Sequence, residues 1–180
     1  MRYPEGHKET VGAKIVETAS RALRQNGIDA VSIPALMKLA GLTHGGFYGH
    51  FKDRDDLIAK AAIHAARASV LHGDPSRDKP IDSYLSKDHV LHPEVGCVVA
   101  ALGAEGARQK GPVRRVFAEI GRGFLRLVEK SLHPAATAKS RLSDEALATA
   151  SRMVGAIMLA RLVDDEALAE RILAAARTQT

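Results

Sequence analysis

The sequence has no tryptophan and a single cysteine, and aromatic residues make up only 4% of its 180 positions. One thiol excludes an intrachain disulfide and any cysteine-based zinc cage. It leaves Cys97 as a buried packing residue, a reactive sensor or an intermolecular link. Scarce aromatics, with Ala and Leu dominating a 46% hydrophobic fraction, disfavour large twisted sheets and suit helices. Long apolar runs are missing too: nothing approaches the roughly 18 to 20 uncharged residues that cross a bilayer. The start Met1-Arg2-Tyr3-Pro4-Glu5 lacks the apolar core of a signal peptide, so a cytoplasmic protein is expected. No nucleophile with a recognisable partner, phosphate loop or carboxylate pair stands out, which argues against an enzyme and against a cofactor. His89 and His92 lie three apart without an acidic partner at ligand spacing, and His64 and His72 lie eight apart, so no metal site is expected.

What is present is a basic chain of one-core size, with a net charge of +5. The basic excess is compatible with nucleic-acid binding, but it is spread along the chain. Met1 to Lys60 holds nine Lys and Arg against seven Asp and Glu, and the remainder holds seventeen against fourteen. Pattern, not charge, has to carry any assignment.

Helical spacing of Val11, Ile15, Ala19, Ala22 and Leu23 predicts a first amphipathic helix over about Lys8 to Asn26, closed by Asn26-Gly27. Ser32 is an N-cap candidate for a short second helix, with Pro34 in its first turn and Leu36, Leu39 and Ala40 as its buried face. After the Gly41-Leu42 turn, Thr43 opens a third short helix to about His50, in which Phe47 and Phe51 share a face. Asp53 caps a fourth, whose Asp55 and Asp56 sit where the helix dipole favours acids. The polar stretch from His72 to Pro80 reads as an exposed loop near a domain boundary. Beyond it, Ile81 to Ser86 spans one or two helical turns. Longer helices are predicted over about Glu94–Lys110, Val113–Leu132, Asp144–Val163 and Asp165–Arg177. Leu147, Ala150, Val154, Ile157 and Met158 should line one side of the penultimate helix, and Leu168, Ile172 and Ala175 one side of the last.

Two short helices joined by a glycine turn, braced by a longer helix in front, form the geometry that places a second helix in a major groove. The third helix is chemically odd for a core element. Three glycines, Gly45, Gly46 and Gly49, each cost about 1 kcal/mol of helix stability relative to Ala, so something other than propensity favours them. Glycines near a helix N-terminus let backbone amides approach phosphates closely. Thr43, Tyr48, Lys52 and Arg54 can donate to phosphate oxygens, and His44 beside them can reach a base edge. His50 suits packing or capping nearly as well as contact.

The run Gly41-Leu-Thr-His-Gly-Gly-Phe-Tyr-Gly-His-Phe-Lys-Asp-Arg-Asp-Asp-Leu57 resembles the signature of the tetracycline-repressor (TetR) family of bacterial regulators, in its Leu-Thr-His-Gly-Gly-Phe-Tyr variant. The similarity reaches back through Ile15-Val16, Ala19, Gly27 and Ser32 to Ala40. It continues weakly in Tyr84 to His89, Gly96-Cys97, Ala100 to Leu102 and Gly155 to Asp165. Arg54 stands where the family usually has Lys, and Leu23 where it usually has an aromatic. The resemblance implies an all-α protein: a three-helix helix-turn-helix DNA-binding domain over residues 1–52, then a helical regulatory and dimerisation domain over 53–180, with 53–70 as a connecting helix.

The expected function is that of a ligand-responsive transcriptional regulator, by family habit a repressor, which binds a palindromic operator as a homodimer and is released by a small-molecule inducer. Its expected DNA-binding residues are Ser32, Thr43, His44, Gly45, Gly46, Tyr48, His50, Lys52 and Arg54. Cys97 is a candidate electrophile or redox sensor if His89 or His92 lowers its pKa. A helical small-molecule-binding protein without DNA binding is the competing class. The inducer pocket is expected among the helices Glu94–Lys110, Val113–Leu132 and Asp144–Val163. The last two helices, with the small residues Ala148, Ser151, Gly155 and Ala156, are expected to form the dimer interface.

Overall fold

A computed structural model describes residues 7–68 and 80–177, and among these all regular structure is helical. The loop and domain boundary expected at 72–79, and the end of the connecting helix at 69–70, lie outside the described residues.

Helix α1, His7–Asn26, ends at Gly27, whose φ of +90° makes the left-handed cap that an L side chain resists. Helix α2, Ile33–Leu39, is capped by the Ser32 hydroxyl accepting from the Ala35 N–H at 3.4 Å. Its buried face is Leu36, Met37 and Ala40, whereas Leu39, expected in the core, is 65% exposed. At about 100° per residue, positions 36, 37 and 40 fall within one arc and position 39 lies about 100° from its centre. Gly41, at φ +74°, then turns the chain.

The third helix is a 3₁₀ helix, η1, His44–Gly49, not the α-helix its capping pattern suggests. Three glycines in six residues weaken an α-helix enough for the tighter turn to prevail over so short a span. Phe47 and Phe51 are both buried, with ring centroids 5.4 Å apart, and they anchor this element. Helix α3, Arg54–Arg67, begins where Asp53 caps the Asp56 N–H at 2.8 Å.

The body contains α4 (Pro80–Tyr84), α5 (Lys87–Leu91), α6 (Val98–Arg108), α7 (Gly111–Leu132), α8 (Asp144–Leu162) and α9 (Glu166–Arg177). The expected single helix from Glu94 is delayed to Val98, because Pro93 to Gly96 is spent on a turn that returns N–H groups to the carbonyls of His92 and Pro93. Two hydrophobic cores result. One joins α1, α2, η1 and α3 to Val98, Leu102, Val113 and Phe117 of α6 and α7. The other packs Tyr84, Leu85, Phe124 and Val128 against α8 and α9.

The expected core stripes of the last two helices are partly shifted. Ala146, Ala150, Met153, Ile157 and Ala160 face inward on α8, and Leu173 and Ala176 do so on α9. Leu147, Met158, Leu168 and Ala175 face out, while Ala156, expected at an interface, is buried. No described helix is long and apolar enough to cross a membrane.

Candidate nucleic-acid interface and ligand cavity

The helix-turn-helix is built from the inside outward. With Phe47 and Phe51 fixed in the core, the residues between and beside them are forced to the surface: Thr43, Gly45, Gly46, Tyr48 and Lys52 are all exposed. Thr43 sits at the N-cap position without a side-chain capping bond, so its hydroxyl is not consumed by its own helix. Tyr48 is 67% exposed and stands edge-on to Phe47, with ring centroids 5.1 Å apart, which holds the phenol outward. A methyl added at Gly45 or Gly49 would meet nothing within 4 Å. The chain's own packing therefore does not demand glycine there, and an external surface that must come close would. The side chain of His44 lies outside the described residues.

Three expected contact residues are engaged inside the protein. Ser32 uses its oxygen to cap α2 but stays exposed, so its hydroxyl hydrogen can still be donated. His50 is half-buried, against Phe51 and over Gly12 of α1, where an added Cβ would come 3.4 Å from its Nδ1; packing is its observed place. Arg54 does not join the outward row. Its guanidinium turns back and donates to the carbonyls of Ile28 and Val31, in the loop between α1 and α2.

That loop is held from a second direction. The Glu105 carboxylate of α6 accepts from the Ile28 N–H at 2.6 Å, so the backbone of one residue, Ile28, is gripped by the connecting helix at its carbonyl and by the body at its N–H. At the other end of α6, Arg24 of α1 donates to the Gly96 carbonyl at 2.6 Å. Burial pulls the Arg24 pKa down to about 10, so it stays charged at neutral pH. Arg161 of α8 donates to the carbonyls of His89 and Val90, and Arg177 of α9 to that of Leu85. Arginines from three helices thus fix the α4–α5–α6 segment. Sequence reasoning missed this network because its partners are 71 to 92 residues apart.

His89 is the centre of that segment. Its Nδ1 lies 2.7 Å from the Tyr84 carbonyl, and its Nε2 accepts from the Cys97 N–H at 2.9 Å, which fixes the neutral Nδ1–H tautomer. Burial drives its pKa down to about 4. His89 therefore reaches the backbone N–H of Cys97 but brings no positive charge. Gly96 leaves the space: a Cβ there would come 2.5 Å from His89 Cδ2. Cys97 itself is 1% exposed and occupies the N-cap position of α6. Burial and the neighbouring Cys97 thiol push the Tyr84 phenol upward.

A cavity of about 500 Å³ opens between α3, α6 and α7, walled by Ile63, Ala66, Val98, Val99, Val116, Ile120, Phe124 and Leu127, with Cys97 behind and Arg67 and Glu119 as its charged groups. It differs from the expected pocket in one wall, since α3 takes the place of α8. The inward face of α8 is already used by the second core, whereas the end of α3 lies over α7. Among the described residues no cluster of three metal-ligating side chains occurs.

Residues 15–61 match the sequence profile of the bacterial regulatory proteins of the tetR family. The HTH-type transcriptional regulator AcrR of Shigella flexneri is 39% identical over 46 residues, or 26% of this chain. The matched segment spans about one fifth, 21%, of that relative's length. A TetR transcriptional regulator from Chloroflexus aurantiacus superposes over 97% of this chain and 96% of its own, with a TM-score of 0.74 at 20% identity. AibR, solved with isovaleryl coenzyme A and operator DNA, superposes over 91% of this chain and 96% of its own, with a TM-score of 0.58 at 15% identity. Residues 15–61 of this chain are therefore similar to the tetR-family profile, and the described residues as a whole carry the fold of these solved regulators.

Proposed function

We propose that this protein is a ligand-responsive transcriptional regulator of the Leu-Thr-His-Gly-Gly-Phe-Tyr variant group, a cytoplasmic repressor that binds a palindromic operator as a homodimer and is released by a small molecule. The observation that carries the reading is the outward row Thr43, Gly45, Gly46, Tyr48 and Lys52 on an element whose inward side is locked by Phe47 and Phe51. Donors on this row suit phosphate oxygens, and its glycines admit a backbone close to DNA. Residues 1–52 act as the reading head and 53–180 as the regulatory body, linked by α3, Arg54–Arg67. The division is one of role, because the head's core also uses Val98, Leu102, Val113 and Phe117.

The homodimer reading is supported by α8, which is apolar on two sides. One side is buried in its own chain; on the other, Leu147, Met158, Leu159 and Leu162 stand exposed around Ala148, Ser151 and Gly155, with Leu168 on α9. Two heads on a dyad reach adjacent major grooves roughly 34 to 36 Å apart. The cavity between α3, α6 and α7 is the inducer site of this reading, and its occupant is largely apolar. A neutral His89 leaves Cys97 as wall packing rather than a sensor, so a Cys97→Ser variant should keep the wild-type response.

The test is a mobility-shift titration of the purified protein against DNA from upstream of its own coding region, in competition with random duplex. A specific complex is expected. Binding no tighter than to the competitor would leave the competing class, a small-molecule-binding protein without DNA activity.

A further inference from the structure

We propose that the exposed basic corner where α6 turns into α7 is a second DNA-contacting surface, which holds the phosphate backbone beyond the half-site read by the head. It rests on the reading of residues 43–52 as a DNA-reading surface. Arg108, Lys110, Arg114 and Arg115 put four cations into eight residues, and all four are exposed. Among the described residues none of them is paired with a carboxylate. Of the acids nearby, Glu105 is occupied by the Ile28 N–H, and Glu119, one turn beyond Arg115, lines the cavity. None of the four cations lines that cavity, so they are not placed to hold its occupant.

The corner lies beside the head. Arg108 is three residues beyond Glu105, about 4.5 Å along the helix axis, and Glu105 holds the loop that leads into Ser32. Val113, within the corner, and Phe117, just after it, are buried in the same core as Ile28, Val31 and Leu36. In a helix-turn-helix the first helix crosses the phosphate backbone while the second enters the groove. Element η1 continues from the C-terminal end of α2, so the Ser32 end of α2 is the end that meets the backbone. On this proposal the basic corner, tied through Glu105 to the loop that leads into that end, meets the backbone as it leaves the half-site. Duplex DNA offers one negative charge per about 1.7 Å, a continuous row that suits a row of unpaired cations better than a single small anion does. This also accounts for where the positive charge of the chain lies: the excess is no greater in the first 60 residues than in the rest.

The experiment uses the full chain and an operator core selected from a random-sequence pool. Affinity is measured against salt on two duplexes, one ending at the half-site edges and one extended on each side by about 10 base pairs, one helical turn. The wild type should bind the extended duplex about ten-fold more tightly at low salt. Its log K against log [salt] slope should be steeper by about 0.9 per added phosphate contact. The Arg108→Gln, Lys110→Gln, Arg114→Gln, Arg115→Gln variant should match the wild type on the short duplex and lose the gain on the long one. A retained gain, an equal loss on both duplexes, or no gain in the wild type would overturn the proposal. The Lys52→Ala variant separates the two readings, since a failing head loses affinity on short and long duplexes alike.

Discussion

At the scale of the residue, two neighbouring groups of side chains behave oppositely. Tyr48 and Lys52 project to the surface, so the Lys52→Ala variant should weaken binding to specific and random duplex alike and lower the salt slope by about 0.9. Tyr48→Phe should weaken both without changing that slope, because only a neutral donor is removed. Titrations at four or more salt concentrations read both effects, and an unchanged slope for Lys52→Ala would remove the lysine from the backbone contacts. His89, by contrast, is buried and neutral. Its pKa falls from an ordinary 6.5 to about 4 in the folded chain, so between those values the unfolded state binds a proton that the folded state does not. Stability should therefore be flat above about pH 7 and decline as pH falls through that window, by at most about 3 kcal/mol. Denaturant midpoints at intervals from pH 4 to 7 measure this. A His89→Gln variant should be less stable at pH 7 and show a shallower decline.

At the scale of the element, α6 stands between cavity and head, and two of its residues have sharply defined surroundings. A Cβ at Gly106 would lie 2.3 Å from Phe117 Cδ1. Gly106→Ala should destabilise the fold by about 1–3 kcal/mol through overpacking, and Phe117→Leu in the same chain should recover part of the loss. Urea unfolding of both variants checks the pair; additive losses would mean the two residues do not compete for space. Glu105→Ala leaves the Ile28 N–H without its acceptor, at a cost of about 1–3 kcal/mol, and frees one side of the loop before α2. Operator affinity should fall with it, since Arg54 alone then holds that loop. Neither residue could be singled out from sequence: Gly106 sits in an ordinary helical run, and the partner of Glu105 is 77 residues away. The 3₁₀ form of η1 was half legible, in that its three glycines spoke against an α-helix while the Thr43 cap spoke for one.

At the scale of the whole molecule, the exposed apolar side of α8 is the surface on which the proposed homodimer rests. Leu159 is 53% and Leu162 80% exposed, one helical turn apart on that side, an apolar patch of the kind that marks interaction surfaces. The paired change Leu159→Asp, Leu162→Asp should convert a dimer to a monomer at micromolar concentration by light scattering. Operator affinity should drop with it, while helical content is retained. A wild-type protein that is already monomeric would sink the dimer reading. Should a small molecule prefer the released state, operator DNA must weaken its binding by the same factor that it weakens operator binding.

The sequence alone determined the helical class, the helix-turn-helix between Ser32 and Phe51, its caps at Ser32 and Asp53, and which face of η1 goes inward. Each of these rests on interactions within a few residues: spacing, capping and glycine at a turn. Only the tertiary structure decided that Leu39 stays out of the core, that α3 rather than α8 walls the cavity, and that Arg54 serves the loop before α2. It alone also showed that His89 is neutral beside Cys97. Those outcomes depend on which distant segment occupies a face or satisfies a buried carbonyl, and periodicity along one helix carries no information about its neighbour.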